Sequence, residues 1–440
     1  VALAASACLA VAVGSASAAQ GLTDLGGWWR FNENTGTTIN DSSANANNGT
    51  LSGGTWVAGK FGSGLDFAFP GYVRVPSATS LESQTITAEA WVKHSGTPGD
   101  FRYILAKGAN ANFAASYALY SGNGGGIGFY VASCSVFAVA YDGSVSLWDG
   151  NWHRVTGTYG GGNVNLYVDG VLVANTPSSL TIEYNLTACG GETNDLSSGD
   201  FLGGTQSYGF PGAIDEPRVW TRTLSASDVG DTTAPAVTVS PLTVLLGQAS
   251  VNLSATATDP YGVVGGEYSL DGGTWTPMTQ SDSTLSATID THALAVGNHS
   301  VQVRATDYAG NTNGTPTSAN LLVAYDWHGF FQPVDNLPTL NAVKAGQALP
   351  VKFSLSGNQG LNIFATGYPT SQPIICDSGA STDGIEATVT AGSSSLAYDA
   401  ITDQYTYVWK TDKAWANTCR QLTVKLNDGT THQANFTFTK

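Results

Sequence analysis

The sequence is poor in charged residues, and most of the charges that it carries are acidic. Asp, Glu, Lys and Arg make up 11% of the chain, against about 25% in ordinary soluble domains. The 33 acidic residues outnumber the 17 basic ones and give a formal net charge of -16. Because no basic stripe is available to displace phosphate counterions, the composition excludes nucleic acid as a partner. The same charge excludes adhesion to anionic lipid.

Long apolar segments are also scarce. One apolar run, VALAASACLAVAVGSASAA at residues 1–19, ends in the small residues Ala16, Ser17 and Ala18, which is typical of a secretory signal peptide and its cleavage site. We expect residues 1–19 to be a signal peptide without its basic n-region; a buried N-terminal strand is the alternative. No other run approaches the ~18 residues that a membrane helix needs. The sequence therefore predicts a secreted, extracellular protein without membrane insertion.

Motifs for catalysis are missing as well. The six histidines are scattered, and the chain has no H-E-x-x-H motif, no C-x-x-C pair and no G-x-S-x-G elbow. Glycosidases use two carboxylates on one side of a cleft. Asp215 and Glu216 are adjacent, so on a regular strand they face opposite surfaces of the sheet, and Glu89 stands alone. The sequence favours a protein that is not an enzyme, with glycoside hydrolase as the least favoured function.

The residues from Asn151 to Asn175 carry the clearest structural pattern. The segment NWHRVTGTYGGGNVNLYVDGVLVAN alternates between apolar and polar residues and is interrupted by Gly-rich and Asp-Gly turns, which indicates antiparallel strands. Its W-H-x-V and L-Y-V-D-G motifs resemble the penultimate strands of LamG-like jelly rolls, in the concanavalin-like lectin and pentraxin group. The resemblance implies a two-sheet, non-catalytic recognition module.

Four more segments, in the order of that family, extend the resemblance over about residues 22–231. They are GWWRFNENTGTTINDSSANANNGTL, GKFGSGLDFAFPGYVRVP, TITAEAWVK and PGAIDEPRVWTRTLSASDV. We therefore predict an all-β protein whose residues 20–231 form a LamG-like, concanavalin-like jelly-roll β-sandwich. The core aromatics expected from the strand patterns are Trp29, Phe31, Phe67, Trp91 and Trp220.

Two further β domains are predicted after the jelly roll. Residues 232–325 contain short alternating strands and end in GNHSVQVRATDYAGN, which resembles bacterial Ig-like modules and predicts a small Ig-like β-sandwich. Residues 326–440 resemble the PxKF domain of secreted bacterial proteins through Pro350, Lys352 and Phe353, and predict a small C-terminal β domain. The resemblance implies no chemistry for this domain, and we expect both units to act as spacers or surface-association modules.

The cysteines fit an extracellular protein. Cys8 lies in the signal peptide, and the other four fall two per domain, which predicts disulfides between Cys134 and Cys189 and between Cys376 and Cys419. Each bridge closes a loop of roughly fifty residues and contributes about 4 kcal/mol in the chain-entropy model.

The family resemblance also implies a calcium ion where the first and last strands of the jelly roll meet. The matching acidic positions are Asp41 and Asp215, and Asn45 or Asn48 would add side-chain oxygens. Calcium prefers such oxygen ligands in irregular loops. The alternative is structural: Asp41 forms an Asx turn, and Asp215 is a buried carboxylate that accepts hydrogen bonds from neighbouring N–H groups.

Aromatic residues near predicted turns are the candidate ligand contacts. A lectin-like site combines a flat aromatic ring with a few polar groups, and the candidates are Tyr120, Tyr141, Trp148 and Tyr208; ordinary packing is the alternative for each. We therefore predict a secreted, non-catalytic recognition protein that binds an extracellular glycan, with calcium support. The alternative is a structural or adhesive protein whose jelly roll binds a cell-surface or matrix protein, or no ligand.

Overall fold

The computed structural model describes residue 22 and residues 24–67, 71–110, 115–134, 136–202, 208–377, 382–384 and 396–440. The predicted signal peptide, residues 1–19, lies outside this part of the chain. The described residues are nearly all β, as predicted, and form two compact units. The first unit contains the described residues up to Ala236 together with Ala257–Gly265 and Ala305–Gly314. The second contains Val237–Thr256, Gly266–Arg304 and the described residues of Thr315–Lys440; the division into three domains stays a prediction.

The first unit contains sixteen strands within the described residues. They are β1 (Leu25–Trp28), β2 (Thr38–Ile39), β3 (Gly49–Ser52), β4 (Thr55–Ala58), β5 (Ser63–Asp66), β6 (Tyr72–Val75), β7 (Ile86–Lys93), β8 (Tyr103–Asn110), β9 (Tyr117–Tyr120), β10 (Ile127–Ser133), β11 (Val136–Asp142), β12 (His153–Gly160), β13 (Asn163–Val168), β14 (Val171–Pro177), β15 (Gly191–Ser198) and β16 (Ala213–Trp220). The short helices are the 3₁₀ turns Thr79–Leu81 and Leu186–Cys189 and the helix α1 (Ala226–Val229).

These strands form two sheets that pack face to face. The back sheet has the order β14-β13-β12-β7-β16-β5-β4, with β1 also paired to β16, and the front sheet has the order β11-β10-β9-β8-β15-β6-β3-β2. One buried hydrophobic core takes residues from both sheets, among them Trp29, Phe67, Leu119 and Val155. The sheets lie close together: a Cβ atom added at Gly157 would fall 2.0 Å from the Phe129 ring. This arrangement is the predicted jelly-roll sandwich.

The turns and strand pairings predicted from the sequence are present. The Asp169-Gly170 turn has positive φ at both residues and joins β13 to β14, as a two-residue hairpin of this type requires. The opening and closing strands are neighbours, because β1 pairs antiparallel with β16 and Trp28 lies opposite Arg218. The positions proposed for the first and last strands therefore meet in one sheet.

A second buried cluster covers the outer side of the back sheet. Its members are Leu25, Trp28, Trp91, Tyr167, Trp220, Leu224, Val229, Tyr261, Val264 and Tyr308. Tyr261 and Val264 lie in Ala257–Gly265, and Tyr308 lies in Ala305–Gly314, which both belong to this unit. All five aromatics expected in the core are buried, but Trp91 and Trp220 belong to this outer cluster rather than to the core between the sheets.

The second unit contains the strands of the Ig-like and C-terminal regions. They are β17 (Ala236–Val239), β18 (Leu242–Leu245), β19 (Ser250–Thr258), β20 (Val263–Leu270), β21 (Thr276–Ser281), β22 (Thr284–Asp290), β23 (Gly297–Asp307), β24 (Thr317–Ala324), β25 (Phe330–Phe331), β26 (Leu340–Lys344), β27 (Ala348–Phe353), β28 (Thr370–Ile374), β29 (Thr382–Gly384), β30 (Leu396–Asp399), β31 (Gln404–Lys410), β32 (Cys419–Lys425) and β33 (Thr431–Thr439). Parts of β17, β19, β20 and β23 fall in the first unit.

Three sheets are formed by these strands. The Ig-like region gives the order β17-β19-β22-β21-β20-β23-β24-β18, and the C-terminal region gives β25-β27-β31-β30 and β28-β32-β33-β26-β29. A short 3₁₀ turn, Lys413–Trp415, precedes β32. The C-terminal region has a core of its own, which includes Phe353, Tyr405, Trp409 and Phe436.

Both predicted disulfides are confirmed. Cys134 is bonded to Cys189, and Cys376 is bonded to Cys419. They close loops of 55 and 43 residues, and they fit an extracellular protein. Among the described residues, we find no helix with the length and apolar character needed to cross a membrane.

Candidate functional site

An aromatic surface covers the outer side of the front sheet. On β9 and β10, residues such as Leu119 and Phe129 point into the sandwich core, and the alternate residues point outward because successive side chains on a strand lie on opposite faces. We call the following set the aromatic face: Phe101, Tyr103, Tyr120, Tyr130, Phe137, Tyr141, Phe201 and Tyr208.

The rings of the aromatic face contact one another in a continuous series. Tyr103 stacks on Phe201 with centroids 4.7 Å apart and on Tyr120 at 5.6 Å. Tyr130 meets Tyr120 edge-on at 5.2 Å and Phe137 at 5.4 Å. Such contacts each contribute about 0.5–1.5 kcal/mol beyond the burial of apolar area. The buried rings therefore hold the exposed ones in place.

Three rings of the aromatic face are substantially exposed: Phe101 at 43%, Phe137 at 42% and Tyr141 at 37%. Tyr141 packs on the backbone of Gly122 and Gly128, where an added Cβ would lie 2.1 Å and 3.3 Å from its ring atoms Cε2 and Cδ2. Its hydroxyl donates a hydrogen bond to the carbonyl of Asn123. Residues without side chains thus support the Tyr141 ring from below, and a larger side chain there would displace it.

The buried tyrosines of the aromatic face keep their hydroxyl protons. Burial, with the nearby Tyr141, raises the pKa of Tyr120 to about 12, and burial also raises the pKa of Tyr103 and of Tyr130. The hydroxyls of Tyr103 and Tyr130 lie 3.3 Å apart, and the N–H of Ala115 donates to the Tyr130 hydroxyl at 3.0 Å. The buried layer of the face is therefore built of apolar rings and neutral hydroxyls.

Carboxylates order the loops at the border of the aromatic face. Asp200 accepts hydrogen bonds from the N–H groups of Phe201 at 2.7 Å and Tyr208 at 2.9 Å. Asp100 accepts one from Gly124 at 2.9 Å, in the glycine-rich loop beneath Tyr141. These bonds fix backbone that would otherwise be mobile at the edge of the sheet.

Three of the four aromatic residues predicted as ligand contacts lie on the aromatic face. Tyr120, Tyr141 and Tyr208 come together there, although Tyr120 is largely buried. Trp148 does not: it is 3% exposed in the sandwich core, and its Nε1–H donates to the Gly125 carbonyl at 2.7 Å. The prediction for Trp148 is wrong because the loop that carries it folds inward.

Sequence reasoning missed most of the remaining face. Tyr130 could have been predicted, because in the strand IGFYVAS it alternates with the core residues Ile127, Phe129 and Val131 and so faces the opposite side of the sheet. No sequence pattern predicts the exposure of Phe137 and Phe101, because it depends on which side of the sheet is covered by other parts of the chain.

The Asp41 loop is closed by hydrogen bonds within the protein. One carboxylate oxygen of Asp41 accepts from the N–H groups of Trp28 at 2.9 Å and Ser43 at 2.8 Å. The other accepts from the Ser43 hydroxyl at 2.7 Å and from the N–H of Asn47 at 2.8 Å. Both oxygens of Asp41 are thus engaged by donors, as in an Asx turn.

The other expected calcium ligands are engaged in a similar way. Asn45 donates its amide N–H to the Leu25 carbonyl at 2.8 Å, and the Asn48 side-chain oxygen accepts from the N–H of Asp41 at 2.9 Å. Asp215 accepts from the N–H of Phe61 at 2.9 Å and shares no bonding partner with Asp41. A calcium ion needs several free oxygens directed at one point. The hydrogen bonds of Asp41 favour its structural alternative, but Oδ1 of Asp215 has no hydrogen-bond partner, and calcium at these four residues stays a prediction.

Asp215 and Glu216 lie on the same side of the back sheet, against the alternation expected from the sequence. The pairing of β16 with β7 shifts register between Asp215 and Arg218, and Glu216 has φ 53°, which marks a β-bulge. Glu216 accepts hydrogen bonds from Trp28 and from Arg30 at 3.3 Å. Because a bulge inserts an extra residue, two adjacent side chains can face one surface.

The two acids are buried and electrostatically coupled. Both have no exposed surface, and one carboxylate oxygen of Asp215, Oδ1, is buried without a hydrogen-bond partner. Burial and the neighbouring Glu216 raise the pKa of Asp215 well above its usual value. Burial also raises the pKa of Glu216, although Arg30 opposes the shift. No substrate atom can reach these carboxylates in this structure.

Family comparisons agree with the first two predicted domains. Residues 70–230 match the Laminin_G_3 family, described as the concanavalin A-like lectin/glucanases superfamily, and residues 236–303 match the bacterial Ig domain family. The chain therefore contains a LamG-like, concanavalin A-like domain followed by a bacterial Ig domain. Neither match reaches residues 326–440, so the PxKF domain stays a prediction. No curated protein matches the chain.

Solved structures with similar folds include two short domains and one enzyme. Domain 4 of AbnA, a GH43 extracellular arabinanase from Geobacillus stearothermophilus, in complex with arabinotriose, is 18% identical, with a TM-score of 0.35 over 47% of this chain and 97% of that one. The CBM40 of the Ruminococcus gnavus IT-sialidase is 18% identical, with a TM-score of 0.30 over 41% and 95%.

The enzyme is a sialidase of Trypanosoma rangeli, solved in complex with 2,3-difluoro-KDN. It is 16% identical, with a TM-score of 0.36, and the similarity covers 46% of this chain but only 31% of the sialidase. At these identities and TM-scores, none of the three assigns an activity or a ligand to this chain.

Proposed function

We propose that the concanavalin A-like lectin/glucanase domain contained in this chain binds carbohydrate through the aromatic face. The observation that carries the proposal is the set of exposed rings, Phe101, Phe137 and Tyr141, supported by a buried series of further rings. Sugar rings combine apolar C–H surfaces with hydroxyl groups, and aromatic residues with a polar handle suit both.

The rigidity of the face favours a binding role. Tyr141 is held by glycine backbone on one side and by its hydrogen bond to Asn123, so little side-chain entropy is lost when a ligand covers it. The hydroxyl of Tyr141 and the backbone of the surrounding loop supply polar groups at the edge of the ring. A shallow, preorganised aromatic surface of this kind suits an oligosaccharide chain better than a small, fully enclosed ligand.

The placement of the three acids that the sequence offered for catalysis favours recognition without hydrolysis. Glu89, Asp215 and Glu216 are fully buried on the outer side of the back sheet, whereas the aromatic face lies on the outer side of the front sheet. A glycosidase needs two carboxylates flanking the bound sugar. A substrate on the aromatic face would have the whole sandwich between it and these carboxylates.

The proposed setting is outside the cell. The chain has two disulfides, and disulfides form and persist in oxidising compartments such as the extracellular space. The acidic, sparsely charged composition also suits an extracellular protein. The partner that we propose is accordingly a glycan of a cell surface or matrix.

The test is binding of the purified chain to a glycan array, followed by calorimetry with the glycans that it retains. We expect reproducible binding to at least one class of oligosaccharide. The variant Tyr141→Ala should weaken that binding about tenfold or more, since the loss of one central aromatic contact costs on the order of 1–2 kcal/mol.

Two matched variants separate stacking from other effects. Tyr141→Phe keeps the ring but removes the hydroxyl and its hydrogen bond to Asn123, so it should weaken binding less than Tyr141→Ala does. Leu172→Ala removes an exposed apolar side chain (51% exposed) from β14 of the other sheet and should leave binding unchanged. A silent array together with capture of one surface protein would replace this proposal with the adhesive alternative. Equal affinity of Tyr141→Ala and wild type would remove the aromatic face from the site.

A further inference from the structure

Three carboxylates from three separate segments of the chain converge in the first unit. Asp231 follows α1, Asp259 follows β19, and Asp307 ends β23. Each offers one carboxylate oxygen, and the three oxygens lie within 4.8 Å of one another. All three residues belong to the first unit. We propose that Asp231, Asp259 and Asp307 form a binding site for a calcium ion.

An unpartnered oxygen at this site points to a missing ligand. Oδ2 of Asp231 is buried and has no hydrogen-bond partner, although Oδ1 of the same carboxylate accepts from the N–H of Thr233 at 2.9 Å. A buried carboxylate oxygen without a partner is costly, because it has lost its water and gained nothing in exchange. A cation in the space enclosed by the three carboxylates would supply the interaction.

The carboxylates are held in place by groups other than one another. Asp307 accepts from the backbone N–H of Asn311 at 2.8 Å and from its amide at 2.9 Å. The same amide donates to the Asp231 carbonyl at 3.1 Å, and Asp259 accepts from the N–H of Tyr261 at 2.7 Å. Backbone and amide donors therefore preorganise the oxygens before any ion arrives.

Ion pairs do not balance the three acids within the described part of the chain, where no Lys, Arg or His pairs with any of them. Arg154 lines the same cavity as Asp231, but its guanidinium donates to the Val229 carbonyl. Asp307 is fully buried and Asp259 is 4% exposed. Three carboxylates this close together repel one another, and a bound divalent cation would remove the repulsion.

The ligand set favours calcium over magnesium. Calcium accepts several protein oxygens in an irregular arrangement, whereas magnesium demands near-ideal octahedral geometry and usually keeps several of its waters. Three carboxylates from separate segments, with oxygens within 4.8 Å of one another, match the preference of calcium. Asp231 and Asn311 also line a cavity of about 390 Å³ in this unit, so the Asp231 end of the cluster borders an accessible space.

Calorimetry of the whole chain, after removal of metal with a chelator, tests the site. Calcium chloride should bind with a stoichiometry of one and raise the melting temperature by several degrees, with a much smaller effect from magnesium chloride. Asp231→Asn should abolish both effects, because it removes the negative charge of the carboxylate whose Oδ2 has no hydrogen-bond partner. Asp231 is also the least buried of the three acids. Asp290→Asn, at an exposed aspartate of β22, should change neither.

A second readout does not depend on the stability of a variant. Terbium should bind the wild-type chain and emit when the nearby Tyr261 and Trp91 are excited, and calcium should displace it. Absence of calcium heat and of displaceable terbium emission in the wild type would overturn the proposal. So would calcium binding that survives Asp231→Asn and Asp307→Asn, and binding lost instead in Asp41→Asn would move the ion to the loop near the first strand. A failed glycan array would not affect any of these results.

Discussion

At the scale of single residues, one β-bulge changes the chemistry of two adjacent acids. The insertion at Glu216 turns both Asp215 and Glu216 toward the covered side of the back sheet. Glu216 has Arg30 and Trp28 as partners, but Oδ1 of Asp215 has none. Asp215 therefore has fewer groups that stabilise its negative charge than Glu216 has. The fold disfavours the charged form of Asp215 more strongly.

The raised pKa of Asp215 predicts a particular dependence of stability on pH. The folded chain keeps the proton of Asp215 above pH 3.8, where the unfolded chain releases it. Unfolding then releases a proton, so the free energy of unfolding falls as the pH rises, by up to about 1.4 kcal/mol per pH unit, until the folded pKa is reached. Asp215→Asn should remove this slope and be at least as stable as the wild type at neutral pH.

Urea denaturation at several pH values between 4 and 8, in a chelating buffer, measures the slope. Asp282→Asn, at an exposed aspartate, serves as control and should keep the wild-type dependence. A variant Asp215→Asn with the same slope as the wild type would show that Asp215 is ionised in the fold.

The candidate site residues show what a sequence reveals about single positions. Tyr120, Tyr141 and Tyr208 were recognisable because each lies near a turn predicted from the sequence. Trp148 has the same surroundings in sequence, yet its indole enters the core beside Phe210. The direction of a turn depends on the packing of the loop against both sheets, and that information is not local.

At the scale of elements, the covered side of the back sheet is held by a buried polar network. Glu89 of β7 accepts a hydrogen bond from Arg218 of β16 at 2.8 Å, and both side chains have no exposed surface. Glu89 also accepts from Trp220 at 2.8 Å and from Tyr261. Burial opposes the charge of Glu89, but Arg218 and the hydrogen bonds outweigh it and lower its pKa. The acid that stood alone in the sequence is therefore a structural group.

Breaking this ion pair should be strongly destabilising. Arg218→Met leaves the Glu89 carboxylate buried without its main partner, which costs about 3–5 kcal/mol. The double variant Arg218→Met with Glu89→Gln should recover part of the loss, because no uncompensated charge remains. Chemical denaturation measures each free energy of unfolding.

The chain offers a matched control in Arg74, which pairs with Asp195 while 55% of its side chain is exposed. Arg74→Met should cost at most about 1 kcal/mol, as exposed ion pairs do. Equal losses for Arg74→Met and Arg218→Met would contradict a special role for the buried pair.

The same network marks the limit of pattern reading for strands. The alternation that predicted β12 assumes that one face of a strand is covered and the other is solvated, and the segments of β7 and β16 were identified only through the family resemblance. Seven of the eight residues of β7 are buried, on both faces of the strand. From the sequence, Trp91 was therefore assigned to the core between the sheets, and Glu89 had no recognisable partner. The two-sheet sandwich, the hairpin at Asp169-Gly170 and the meeting of the first and last strands followed from the sequence and the family resemblance, but the covering of the outer side did not.

At the scale of the whole molecule, the compact units differ from the boundaries that sequence similarity suggests. The predicted jelly roll ends at residue 231, and the family match ends at residue 230. The first unit nevertheless includes Ala257–Gly265 and Ala305–Gly314. Tyr261 and Tyr308 from these segments enclose the Arg218 guanidinium, whose Cζ lies 4.4 Å and 3.2 Å from their ring centroids. The hydroxyl of Tyr308 also donates to the Glu216 carbonyl at 2.9 Å.

A fragment of residues 20–231 should therefore be less stable than the same residues in a longer chain. Without Tyr261 and Tyr308, the buried pair of Glu89 and Arg218 is opened to water, and the burial of two aromatic side chains is lost, at about 1.5–3 kcal/mol each. Hydrogen exchange at the amides of β7 and β16 should be faster in this fragment than in a fragment of residues 20–325, which keeps both segments. If the two fragments protect these strands equally, the covering segments contribute nothing to the stability of the first unit, and the family boundary is also the boundary of independent folding.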